Sequence, residues 1–206
     1  MQNDAIHTKK ELRREVLTRR DALSASAREQ ASRAICQKLK DRLASLSPGS
    51  TVAVYASMKS EVDLEGFIAW CYTQKLTVVF PCMNMKGSTP RMNMRSVEYP
   101  AWQDRNVPFI ANPLKRYAED DESISDFPVC APGSIDAVIV PMVAFDSDFQ
   151  RLGYGGGNYD EYLRFVSCET LPGAGAKIIG VAFETQRVNQ VPTEPHDLPL
   201  PCIISA

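Results

Sequence analysis

Apolar positions along the chain change period several times. Ala31, Ile35, Leu39 and Leu43 recur every four residues, which predicts a helix over 26–43 with Ser26 and Glu29 as its capping box. Another helix is predicted over 9–23. After the Ser47-Pro48-Gly49-Ser50 turn, Thr51 to Ser57 reads as a short buried strand. Ser60 and Asp63 offer caps for a helix through Phe67, Ile68 and Tyr72. A second strand follows from Leu76 to Cys82, closed by Pro81. Two strands joined by a helix-length crossover point to a parallel sheet. Arg91 to Val97 alternates like a strand, and 111–134 reads as a loop with acidic residues from Glu119 to Asp126. Ile135 to Phe145 is the strongest buried strand, at least up to Pro141. A glycine-rich turn, a helix from Asn158 to Val166, and strands at Lys177–Phe183 and Cys202–Ser205 complete the pattern. The expected architecture is α/β: one domain over 1–206, three layers (αβα) around a mostly parallel sheet, with a small antiparallel hairpin region.

Composition narrows the classes. With 206 residues, 44% hydrophobic and 23% charged, the chain can bury a core, which excludes disorder and disulfide-dependent scaffolds. No apolar run reaches the roughly 18 residues of a membrane span. The first twenty residues carry six Lys/Arg and no apolar stretch, so no secretory signal is expected and a cytoplasmic location is. Residues 1–42 hold a net +5 and the remainder −7. Such a basic start suits either a solvated helix face or an anionic ligand. The acidic remainder and the sparse aromatics speak against nucleic acid. Six dispersed cysteines and two histidines, His7 and His196, make a zinc site improbable and predict reduced, mostly buried thiols.

The chemistry concentrates in Arg151-Leu152-Gly153-Tyr154-Gly155-Gly156-Gly157-Asn158-Tyr159-Asp160, between a buried strand and a helix. Glycines allow a ligand close to the main chain, and a helix start supplies free N–H groups and a positive dipole end. Arg151 adds a planar donor fork. Neither GxGxxG nor GxxxxGK[ST] fits, because Asn158 occupies the deciding position in both. Asp160, in the first helical turn, either serves the helix dipole or holds Mg²⁺.

Pro141-Met142-Val143-Ala144-Phe145-Asp146, followed by this loop, resembles the signature of 5-formyltetrahydrofolate cyclo-ligases, also called methenyltetrahydrofolate synthetases. The resemblance extends to Lys9-Lys10-Glu11-Leu12-Arg13, to Ser57-Met58-Lys59-Ser60-Glu61-Val62-Asp63, and to Val191-Pro192-Thr193-Glu194 with His196-Asp197. It implies an ATP-dependent closure of 5-formyltetrahydrofolate, with or without further glutamates, to 5,10-methenyltetrahydrofolate, releasing ADP and phosphate. A monomer acting without nucleic-acid or membrane partners is expected.

The resemblance also implies residue roles. Lys9 and Arg151 would be catalytic. Lys9, Lys10, Arg13, and Arg151 to Tyr159 (Leu152, Gly153, Tyr154, Gly155, Gly156, Gly157, Asn158 and Tyr159 included) would bind ATP. Ala56, Met58, Glu61 and Tyr154 to Asn158 would border the folate, with Glu61 on the pterin. Asp160 and Asp197 would ligate Mg²⁺. The chain departs from the family at Phe149, commonly Gly; at Asn158, commonly aromatic; and at Glu161, often Arg. The alternative function is a reduced-folate-binding relative with a regulatory or storage role and little turnover. A sugar-phosphate isomerase on a similar scaffold and a nucleic-acid binder are weaker rivals.

Overall fold

The computed structural model describes residues 8–169, 176–194 and 197–206; His7, His196 and the Cys168 side chain lie outside them. Helix α1 (Lys9–Asp21) opens on a capping box in which the Thr8 hydroxyl accepts from Glu11 N–H and Glu11 accepts from Thr8 N–H. Helix α2 (Ala25–Leu43) starts before the expected box. Ser24 caps it instead, accepting from Ala27 N–H at 3.1 Å, because Ser26 already lies inside the helix and Glu29 pairs with Arg33.

Strand β1 (Thr51–Ala53) is shorter than expected. Beyond it the chain turns outward, with Glu61 N–H bonded to Met58 C=O at 3.0 Å. Helix α3 (Glu65–Thr73) follows, with Asp63 accepting from Glu65 N–H, whereas Ser60 caps nothing and bonds to α1. Strand β2 (Thr77–Asn84) runs through Pro81 rather than stopping there. Its residues 77–79 pair with β1 and 83–84 with β4 (Arg116–Tyr117), so on that edge Pro81 sits in the gap between those partners, while on the other edge it stays opposite Met94.

Strand β3 (Met92–Ser96) reverses direction beside β2. Helices α4 (Tyr99–Gln103) and α5 (Pro108–Ala111), β4 and strand β5 (Val129–Cys130) break up the expected 111–134 loop and its approach. Strand β6 (Ala137–Pro141) ends at its proline. A separate antiparallel hairpin, β7 (Ala144–Phe145) with β8 (Arg151–Leu152), leads into α6 (Asn158–Glu169), then β9 (Lys177–Ala182) and β10 (Ile203–Ser205).

The sheet order is β10-β9-β6-β1-β2-β3-β5, with β4 beside β2; β10 through β2 are mutually parallel. Period-two alternation places Ala137 and Ile139 against α2 and α3, while Val138 and Val140 meet Leu163 and Val166 of α6. The expected three layers are thus present. Helix α1 packs Leu12 and Val16 onto Val143, Ala144 and Leu152 of the hairpin region, which carries its basic face to the glycine loop. Cys36, Cys71 and Cys82 are buried free thiols, and burial pushes Cys71 up to about 12. Cys130 and Cys202 are half-buried and also free. No described helix is long and apolar enough to cross a membrane.

Candidate active site

From β1 the sheet grows one way through β2 and the other way through β6, β9 and β10. The crevice past the carboxyl ends of β1 and β6 is therefore a switch point, where open α/β sheets bind ligands. A cavity of about 570 Å³ lies there, lined by Ala56 beyond β1, Pro81 and Met83 of β2, and Pro141 of β6. It collects nearly every expected site residue: Lys9, Arg13, Met58, Glu61, all of Arg151 to Asp160, and Asp197. Lys10 is the exception. One helical position from Lys9, it is exposed to solvent outside the cavity. A second groove, about 550 Å³ and lined by Tyr72, Lys75 and Tyr99, lies near the start of β2 and holds none of these residues.

At one end of the cavity the charges are paired. Lys9 Nζ lies 2.5 Å from Asp197 and 3.1 Å from Glu194. Burial alone would lower the Lys9 pKa, but hydrogen bonds to these two carboxylates outweigh it and raise it. Arg13, one turn along, donates from Nε to Gly153 C=O at 2.7 Å. Its guanidinium lies across Gly155, whose φ of +95° suits glycine, as does Gly157 at +66°. Arg151, 3% exposed, bonds Asp160 at 2.6 Å and leaves Nε without a partner among the described residues. Thus each of two expected phosphate ligands, Lys9 and Arg151, neutralises one expected metal ligand.

At the other end stands a lone acid. Glu61 is 7% exposed; one oxygen accepts from Met58 N–H at 2.8 Å, and Oε1 has no hydrogen bond of good geometry. Burial pushes its pKa up, against the nearby Tyr154 hydroxyl, the Met58 N–H and the Arg20 charge. Tyr55 donates to Val62 C=O at 2.9 Å, which closes the 55–62 turn, and the Tyr159 hydroxyl is buried without a partner among the described residues.

Asn158 behaves differently from a capping residue. It lies inside α6, its side chain beside Gly156, and donates to Met83 Sδ at 3.8 Å. Phe149 occupies a left-handed turn at φ +58°, a conformation that favours glycine. Asp146 organises that turn: it accepts from Asp148, Gln150 and Val191 N–H groups.

Sequence reasoning missed Arg91 and Arg20. Arg91 donates to Gly156 C=O at 2.8 Å and pairs with Glu161 at 3.2 Å, bracing the loop; nothing local in sequence marks it. Arg20 follows Arg13 by seven residues, two helical turns, and that spacing was its signal.

Among curated proteins, the 5-formyltetrahydrofolate cyclo-ligase of Escherichia coli K12 is 30% identical over 156 residues, 75% of this chain and 77% of its own. That of Mycoplasma pneumoniae is 26% identical over 198 residues, covering 96% and 98%. The solved 5,10-methenyltetrahydrofolate synthetase of Mycoplasma pneumoniae shares the fold, with a TM-score of 0.70 at 24% identity over 96% of this chain and 98% of that one. The Aquifex aeolicus enzyme of the same name superposes with a TM-score of 0.68 at 26% identity, covering 96% and 89%. Residues 5–206 match the family as a whole, so the chain belongs to the 5-formyltetrahydrofolate cyclo-ligase family.

Proposed function

We propose that this protein closes 5-formyltetrahydrofolate to 5,10-methenyltetrahydrofolate at the expense of ATP, in the cavity past β1 and β6. The observation that carries the reading is the convergence on one cavity of the glycine loop, three cations and a buried acid from three distant parts of the sequence.

An amide oxygen leaves poorly. In the proposed sequence the formyl oxygen attacks the γ-phosphorus and the bond to ADP breaks. N10 then attacks the activated carbon, loses its proton, and phosphate departs. Catalysis of this kind rests on positioning and charge stabilisation. Lys9, Arg13 and Arg151 hold the phosphates against the loop N–H groups at the start of α6. The free Glu61 oxygen accepts from pterin N–H groups.

Asp160 and Asp197, two hard carboxylates lining the cavity, would hold Mg²⁺. Bound there, the ion would offset phosphate charge. The carboxylates that it takes are the ones paired with Lys9 and Arg151, so nucleotide entry exchanges ion pairs rather than breaking them. We read the enzyme as a single-domain, cytoplasmic monomer that tolerates a polyglutamate tail at the open mouth of the cavity. The test is incubation with 5-formyltetrahydrofolate and MgATP, following the near-ultraviolet absorbance of the methenyl product. Folate binding without product would favour a storage role.

A further inference from the structure

Arg20 is a buried cation that the mechanism above does not use. It lies in the last turn of α1 at 2% exposure, donates from Nε to Ser60 Oγ at 3.0 Å, and has no hydrogen-bond partner for one terminal nitrogen among the described residues. Ser60 in turn donates a hydrogen bond from its hydroxyl to Asp21 and stands next to Glu61. The Arg20 guanidinium also lies 5.8 Å from the centre of the Tyr154 ring, within cation–π reach. A buried guanidinium is costly unless it is paired or hydrogen-bonded, so its contacts here matter. Its neighbours here are the turn that carries the pterin acid and the tyrosine of the nucleotide loop.

We propose that Arg20 is a positioning residue that locks the Glu61 turn to the Tyr154 ring and keeps the Glu61 carboxylate ready for the pterin. The inference rests on the reading that Glu61 receives the pterin. Ser60 fixes the turn from one side. Tyr154, whose hydroxyl lies near both Glu61 and Arg20, closes it from the other. The groups facing Glu61 are Arg20 from α1, Tyr154 from the loop, Tyr55 after β1 and Tyr159 from α6. Three are neutral phenols that burial holds in the protonated form, so Arg20 is the cation among them. Its charge opposes the burial that favours protonated Glu61. Without it the carboxyl stays protonated to higher pH and loses strength as an acceptor.

The test is equilibrium binding of 5-formyltetrahydrofolate, without nucleotide, to the full chain from pH 6 to pH 9. The proteins are wild type, Arg20→Met, Arg20→Lys, Ser60→Ala and Glu61→Gln. Relative to wild type, Arg20→Met should bind several-fold more weakly, with the larger loss toward pH 6, because the turn loses its anchor and the carboxyl loses a nearby positive charge. Arg20→Lys should recover most of the loss, and the MgATP dissociation constant should stay put. If Arg20→Met does not fold, Ser60→Ala must show a smaller shift in the same direction. No loss in a folded Arg20→Met variant, or a loss that Arg20→Lys does not recover, overturns the proposal while leaving Glu61 on the pterin. Wild-type affinity in Glu61→Gln overturns the Glu61 reading and this inference with it.

Discussion

The two ends of the cavity solve opposite electrostatic problems. At the nucleotide end every cation has an anion or carbonyl already in place: Lys9 with Asp197 and Glu194, Arg13 with Gly153, Arg151 with Asp160. A highly charged ligand that arrives with its counter-ion can exchange into such pairs at small net cost, because neither the cation nor the carboxylate is ever left bare. The end we assign to the pterin instead buries a carboxylate with no cation paired to it among the described residues, and one of its oxygens has only the nearby Tyr154 hydroxyl for company. That arrangement destabilises the empty protein and rewards a ligand that brings N–H donors. Charge exchange therefore governs one end, and stored desolvation the other.

The largest expected effect breaks the nucleotide end. Arg151→Lys keeps the charge but loses the fork that reaches Asp160 and the phosphates together. We expect kcat/KM to fall roughly 100-fold, the scale of losing one donor to a transition-state charge, with folate affinity unchanged. Steady-state kinetics beside a folate titration check this. An equal loss in folate affinity would mean that the two ends are not separable.

Glu61→Gln probes the other side of the comparison. A hydrogen bond to a charged group contributes about 1.5–3 kcal/mol, so folate affinity should drop roughly 10- to 100-fold while the MgATP constant holds. Stability should move the opposite way. Glu61 has a raised folded pKa, so its burial costs nothing where both folded and unfolded states are protonated, and it costs progressively more as pH rises above the ordinary carboxylate range. The variant should melt with wild type at acid pH and above it at neutral pH, each kcal/mol gained appearing as roughly 2–4 °C. A lower melting temperature at pH 7 would show that Glu61 is a stabilising group and not a stored one.

Asp160→Asn tests the exchange itself. The amide can still accept from Arg151 but cannot neutralise it or serve Mg²⁺ as an anion. We expect the Mg²⁺ concentration for half-maximal activity to rise several-fold and stability to fall by about 1–2 kcal/mol, because Arg151 is a buried partner. Unchanged Mg²⁺ dependence would leave Asp160 only its structural bond.

The contrast between the ends also explains what could be read from sequence. The nucleotide end is local: glycines, Arg151 and Asp160 fall within ten residues, and Lys9 and Arg13 share a helix face, so residue types and spacing expose it. The three layers were legible for the same reason, since a continuous apolar run marks β6 and a four-residue period marks α2. The pterin end is assembled from α1, the 55–62 turn and the loop, and no short pattern announces that Arg20 meets Ser60 across 40 residues. Pro81 misled because a proline ends most strands; only the topology shows that β1 has already stopped beside it. Ser60 looked like a helix cap and is a partner of α1, a tertiary use of a residue with strong local preferences.

Asn158 stands where the two ends meet, and substituting it has the smallest expected effect. Its side chain caps no N–H group of α6; it rests beside Gly156 and donates weakly to Met83. Replacing it should therefore cost no capping energy, in contrast with a residue at a helix N-cap, where about 1 kcal/mol would be lost. An aromatic ring at this place on the cavity wall would face the bicyclic pterin, and stacking is worth roughly 0.5–1.5 kcal/mol beyond buried area. Asn158→Tyr should then tighten 5-formyltetrahydrofolate about five-fold, leave the melting temperature within a degree or so, and leave MgATP binding unchanged because Arg151 and the glycines are untouched. Folate and nucleotide titrations on the purified variant read all three. Weaker folate binding in a protein of unaltered stability would make the asparagine amide itself a folate contact, and the border between the two ends would then run through residue 158 as a polar contact instead of a stacking face.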